Sequence, residues 1–440
     1  MNDITAFFAF LKYCLGYKGD MSRVITGMDW QELYSFASKQ ALLGLCFDGI
    51  ERLGKEYPEE LKQNPIEREL LMTWMGAAQQ IRRQNMKVNA VASKLFSMLR
   101  EDGMRCCVLK GQGNALMYPN PYSRTPGDID VWIDASRERI MEYAQKNFEL
   151  EDDIRLQHLE TSLDGVPVEL HFFPCSMNNP IYHARLQKWF RRNADLQCSH
   201  IVELPDEAGD IAIPTTAFNV IYQLTHLYHH FFDEGIGMRQ IIDYFLVVND
   251  FSKNVFLNND LSNPSVSLSK GSSTAFPKPL SPQGTGDVTA LRCSEPLRSK
   301  DGGASKPSPN CAGWDRLGGN GYTTSTALDV VQRELKYLGL WKFAGAVMYV
   351  LHETLGLSDE KMIAPMDEKR GKLLLAEILN GGNFGKHFTK YGHFTQQGMA
   401  KKYFLKIWRN MHFVRYYPAE ALSEPIFRTL HFFWRLKHRR

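Results

Sequence analysis

Two neighbouring stretches decide how this chain folds: Val108-Leu109-Lys110-Gly111-Gln112-Gly113, and Arg124-Thr125-Pro126-Gly127-Asp128-Ile129-Asp130-Val131-Trp132-Ile133. The second sets two carboxylates two residues apart inside an apolar, β-branched run. A strand sends alternate side chains to opposite faces, so Asp128 and Asp130 share one face while Ile129, Val131 and Ile133 point into a core. Two acids so placed repel each other unless a positive charge stands between them. A hard divalent cation such as Mg²⁺, which takes oxygen ligands, is the usual remedy. A bare Asp-x-Asp is more often a solvated pair than a site, so its context has to decide.

A third acid supplies that context. Val166-Pro167-Val168-Glu169-Leu170-His171-Phe172 alternates apolar and polar residues, a second strand with Pro167, Glu169 and His171 on one face. Asp164-Gly165 just before it is a hairpin-turn signal, so the preceding residues 159–163 pair with it. Two acids on one strand and a third on a later one can hold two Mg²⁺ ions for in-line phosphoryl displacement. Lys110 closes the first strand, where Gly111 and Gly113 permit a turn whose backbone N–H groups approach phosphate. Lys110 and Arg124 are then the candidate clamps on phosphate charge. By itself the Gly-x-Gly would be only a turn.

Taken together, Lys110-Gly111, Arg124, Gly127-Asp128-Ile129-Asp130 and Glu169-Leu170-His171 resemble the uncharacterised nucleotidyltransferase family of the DNA-polymerase-β-like superfamily. The likeness is close over residues 106–172 and looser through His226 to Asp243. It implies Asp128, Asp130 and Glu169 as catalytic and Mg²⁺-binding residues, with Lys110, Gly111, Gln112 and Arg124 around the nucleotide. The implied reaction moves a nucleoside monophosphate from an NTP to an acceptor that the sequence does not name. Glu169 would complete the metal cluster or act as base for the acceptor hydroxyl. The superfamily commonly has Ser after the glycine, a hydroxyl that helps hold the triphosphate; Gln112 stands there in this chain. That departure supports an alternative, a catalytically inactive nucleotide-binding or interaction protein of the same fold. The resemblance also brings a helical His pair and the Arg239 and Asp243 positions beside the core.

The remaining sequence sets bounds. With 440 residues, a net charge of +3, 44% hydrophobic and 23% charged residues, the chain reads as globular, and bulk electrostatics give no indication of nucleic-acid binding. Eight cysteines without a Cys-x-x-Cys pair exclude a zinc ribbon or thioredoxin-like motif and fit a reducing compartment. The first residues lack the basic region and cleavage site of a signal peptide, and no run approaches the roughly 18 apolar residues of a membrane span. The reading is cytoplasmic.

The expected fold class is α+β, a small nucleotidyltransferase-type mixed sheet with helices, flanked by N- and C-terminal helical regions. Residues 1–104 form the N-terminal helical region, with periodic stretches at 29–45 and 67–99. Residues 105–214 hold the nucleotidyltransferase-like α/β core, and 215–251 begin the second helical region. Residues 252–322, about two-fifths Ser, Pro and Gly, read as a disordered insert, and helical patterning resumes over 323–440. His226, His229 and His230 on the 217–232 helix have spacing that suits zinc, though packing beside Tyr222, Tyr228 and Phe231 is the simpler account. The closing Trp434-Arg435-Leu436-Lys437-His438-Arg439-Arg440 is read as a basic helix end that favours the C-terminal dipole.

Overall fold

Helices α1 (Asp3–Cys14), α2 (Ser22–Thr26), α3 (Trp30–Lys39), α4 (Leu43–Glu56), α5 (Pro58–Gln63) and α6 (Arg68–Glu101) precede the first strand in the computed structural model, which describes residues 3–150, 155–260, 324–387 and 399–438. Asp29 starts α3 by accepting the Glu32 N–H at 2.8 Å, which satisfies one of the helix's orphan donors. The periodicity that predicts one helix over 29–45 is shared by two, because the chain reverses at Ala41, where φ is +57°. Buried Gln40 fixes the break: its amide donates to Ile378 O at 3.1 Å and accepts from Met238 N at 2.8 Å. Tertiary bonds here overrule a local pattern.

The core follows as β1 (Cys106–Leu109), α7 (Gly111–Ala115), β2 (Ile129–Ile133), α8 (Arg137–Asn147), β3 (His158–Leu163), β4 (Val166–His171), α9 (Pro180–Ser199), β5 (Ile201–Leu204) and β6 (Gly209–Ala212). The first four strands form one mixed sheet in the order β1-β2-β4-β3, and β5 and β6 form a separate ribbon. β2 runs antiparallel to β1 and parallel to β4, while β3 and β4 are the expected hairpin. Both turn residues, Asp164 (φ +50°) and Gly165 (φ +70°), lie in the left-handed region that a tight two-residue hairpin demands. One sheet face carries Val108, Ile129, Val131, Val168 and Leu170 against Val91, Leu95 and Leu99 of α6. The other carries Trp132, which packs on Phe190 and Phe218 at ring-centroid distances of 6.1 and 6.2 Å. By alternation Asp130 belongs to this second face.

Helices α10 (Thr216–Asp233) and α11 (Met238–Asp260) cover that face, followed by α12 (Thr324–Tyr337), α13 (Trp341–Leu355), α14 (Glu368–Gly381), α15 (Met399–Met411) and α16 (Pro418–His438). The molecule is α+β, a mixed sheet between helical N- and C-terminal regions. Phe231 and Phe232 of α10 pack on Phe413, which ties the last helices to the core. One boundary moves. Residues 252–260, assigned by composition to the insert, continue α11, where buried Ser252 caps its own polarity on Val248 O at 2.9 Å. The rest of the assigned insert, 261–322, lies outside the described residues.

Candidate active site

Lys110 ends β1 and precedes α7 with φ +53°, a region costly for any residue with a Cβ, and Gly111 follows at φ +43°. The Lys110 ammonium lies 3.1 Å from Asp130 Oδ2 and donates to His226 Nε2 at 3.0 Å. Burial disfavours its charge, but Asp130, Asp128 and Glu169 outweigh this and raise its pKa. Gln112 takes another course: its amide is buried and donates to Asn89 of α6, away from the cleft that Lys110 and Gly111 line.

The three predicted acids sit on adjacent chain segments. Asp130 is opposite Glu169 in the β2–β4 register, and Asp128 stands exposed one residue before β2. His171 separates the first two, its Nε2 donating to Asp130 Oδ1 at 3.1 Å and Glu169 Oε2 at 3.0 Å. Asp130 is 5% exposed; burial works against its charge, yet Lys110 and His171 hold it well below the usual carboxylate range. Burial also opposes charge on Glu169 and His171. Their shared hydrogen bond lowers the Glu169 pKa, and the bonds to both acids lift His171 to about 9. Asp128 is the strained member: although the residue is open to solvent, the Asp130 charge, then the desolvation its carboxyl meets at the cleft, push it up to about 6.

Arginines line the same cleft as the acids. Arg124 grips Asp243 of α11 with two donors, Nε at 2.9 Å and Nη2 at 2.8 Å, and Tyr118 adds a hydroxyl to the same carboxylate at 2.8 Å. Asn85 of α6 fixes the loop by donating to Arg124 O at 2.8 Å. Arg239 donates to Thr125 O at 3.0 Å. Arg124 Nη1, Arg239 Nε and Gln240 Nε2 are buried donors without a hydrogen-bond acceptor, and all three residues line the same cleft as Asp128, Asp130 and Lys110. Phe384, with φ +53°, closes part of the wall from the turn after α14.

The helical histidines do not converge on one point. His226 faces Lys110, His229 lies 3.5 Å from Ser176 Oγ, and His230 lies 3.7 Å from Glu234. Burial, then Lys110, keeps His226 neutral, and burial with His230 lowers His229 to about 4. Sequence reading passed over His158, although counting back from the Asp164-Gly165 turn puts it opposite His171. Gln240 and Phe384 carried no such signal, since only tertiary packing brings them to the cleft.

The sequence profile of the family described as "Uncharacterised nucleotidyltransferase" matches residues 26–262, more than half of the 440-residue chain. The chain belongs to this family. Every polar residue described above on β1, β2 and β4 falls inside the matched region of the uncharacterised nucleotidyltransferases, and Phe384 falls outside it. No curated protein and no solved structure matches the chain. Among the described residues no helix is long and apolar enough to cross a membrane.

Proposed function

We propose that the chain transfers a nucleoside monophosphate from an NTP to an acceptor hydroxyl or phosphate and releases pyrophosphate. The observation that carries this reading is one cleft lined both by Asp128 and Asp130 and by arginines with unsatisfied buried donors. Asp128 and Asp130 offer hard oxygen donors, and Lys110 pairs with Asp130 rather than Asp128, so a divalent cation would relieve the charge Asp128 carries. Asp128 and Asp130 would hold Mg²⁺, with Glu169 completing the cluster or serving as base. When bound, the ion supplies charge neutralisation at the phosphoryl oxygens and lowers the cost of the attack. Lys110, Gly111 and Arg124 orient the phosphates, with Arg124 Nη1 and Arg239 Nε as the donors still seeking an acceptor. The acceptor oxygen forms the new bond to the α-phosphorus as the bond to the β-bridging oxygen breaks, and pyrophosphate departs with that electron pair.

A second reading, a nucleotide-binding protein without turnover, is favoured by Gln112, which turns into α6 and presents no hydroxyl to the cleft. Incubation with each α-labelled NTP, Mg²⁺ and a cell extract separates the two. Transfer of label that Asp128→Asn and Asp130→Asn each reduce by about a hundredfold or more supports the enzyme, a loss of several kcal/mol of transition-state stabilisation. Calorimetric NTP binding with no label transferred would favour the second reading.

A further inference from the structure

The β3–β4 hairpin places a second set of donors behind the acid pair, and nucleotidyl transfer makes no use of its two histidines. His158 and His171 are opposite each other across the hairpin, as are Glu160 and Glu169. His158 is 8% exposed, and neither of its ring nitrogens has a hydrogen-bond partner. Its Nδ1 points to Glu169 Oε2 at 3.3 Å, and its Nε2 faces Glu160 Oε1 at 3.5 Å. His171 Nε2 lies 3.0 Å from the same Glu169 oxygen and 3.1 Å from Asp130 Oδ1. One donor atom from each of His158, Glu169 and His171 falls within 4.8 Å of the others.

We propose that His158, Glu169 and His171 form a binding site for a late first-row divalent ion, Zn²⁺ foremost, distinct from the Mg²⁺ site proposed on Asp128 and Asp130. The spacings carry the argument. Metal–ligand bonds of about 2.0–2.2 Å place tetrahedral donors roughly 3.3–3.6 Å apart, and the contacts of His158 Nδ1 and His171 Nε2 with Glu169 Oε2, at 3.3 and 3.0 Å, stand near that spacing. Two imidazoles and a carboxylate are the donor types that late first-row ions select over Mg²⁺. A ligating histidine also tends to give its other ring N–H to a carboxylate, the place Glu160 holds against His158 Nε2. On the far side of the other ring, Gln157 meets His171 Nδ1 at 3.4 Å and helps fix its plane. The ion replaces the Nε2 proton of His171 that now bridges Asp130 and Glu169, and that proton leaves to solvent.

This inference rests on the hairpin's geometry and shares Glu169 with the proposed transfer site, so the test reads His158, which that reaction does not use. The test titrates the chelator-treated full chain with Zn²⁺ by calorimetry and with Co²⁺ by visible absorption. One Zn²⁺ per chain is expected, with the intense bands of four- or five-coordinate Co²⁺. His158→Ala and His158→Gln should each weaken Zn²⁺ binding at least about tenfold and abolish those bands, while Mg²⁺–NTP affinity stays within about twofold. Asp128→Asn should show the reverse pattern. Melting curves without metal identify which His158 variant remains folded. Absence of stoichiometric Zn²⁺ uptake by the wild type overturns the proposal, as does Zn²⁺ affinity unchanged in a folded His158 variant.

Discussion

Arg124 and Asp243 are each about 95% buried, and their two-point contact is the most desolvated ion pair in the cleft wall. Removing one partner strands a charge where water cannot reach it. Asp243→Asn is therefore expected to cost about 3–5 kcal/mol in a denaturant melt, and Arg124→Met with Asp243→Leu should cost less than the single change. Glu169→Gln tests a different role. Its carboxylate lies with two histidines behind Asp130, so Mg²⁺–NTP affinity should fall less than about tenfold while the transfer rate drops about 10²–10⁴-fold. Equal losses in both would make it chiefly a ligand of the nucleotide's metal. Strand alternation made the faces of Asp130 and of Glu169 readable, each within its own strand, because period two is a purely local property, whereas their adjacency comes from the parallel pairing of β2 with β4. The direction of Gln112 was not readable, since it follows from a left-handed lysine at position 110 that nothing in the residue type announces. The Arg124 clamp was seen only as a phosphate ligand, because its partner Asp243 lies far along the chain.

Glu420 makes the junction between α16 and the loop leading into α9 sensitive to pH. Its carboxylate is 1% exposed and accepts the backbone N–H groups of Asn178 and Asn179. Burial outweighs those bonds and pushes its pKa up to about 7. A raised carboxyl binds more protons in the folded state, so the stability it contributes is complete below the unfolded pKa and is lost as pH rises through about 7. Glu420→Gln keeps an acceptor without the charge and should raise stability at pH 8 by up to about 3 kcal/mol, with little effect at pH 4. Thermal melts of both proteins across that range check the sign. At this scale β1 and β2 fall where the sequence alternation puts them, while the break between α3 and α4 does not announce itself. Gln40 makes that break through Ile378 and Met238, contacts no window of neighbouring residues contains.

Across the whole molecule, α11 and α12 pack directly on each other on either side of residues 261–323. Replacing 261–323 by a flexible linker of about ten residues should change stability by under about 1–2 kcal/mol, because loop-closure entropy varies slowly with length. Starting the deletion at Lys253 should cost more, as it removes helical turns of α11. Differential scanning calorimetry of the two deletions distinguishes them. Composition placed the start of this segment at residue 252, inside α11, because a helix ends where its packing ends and composition does not record packing. Phe384 bears on heredity as much as on shape. The acids and their cations belong to the stretch shared with the family, whereas this aromatic wall comes from beyond residue 262. A change confined to the chain beyond residue 262 can therefore reshape the lining of the cleft while leaving Lys110, Asp128 and Asp130 as they are.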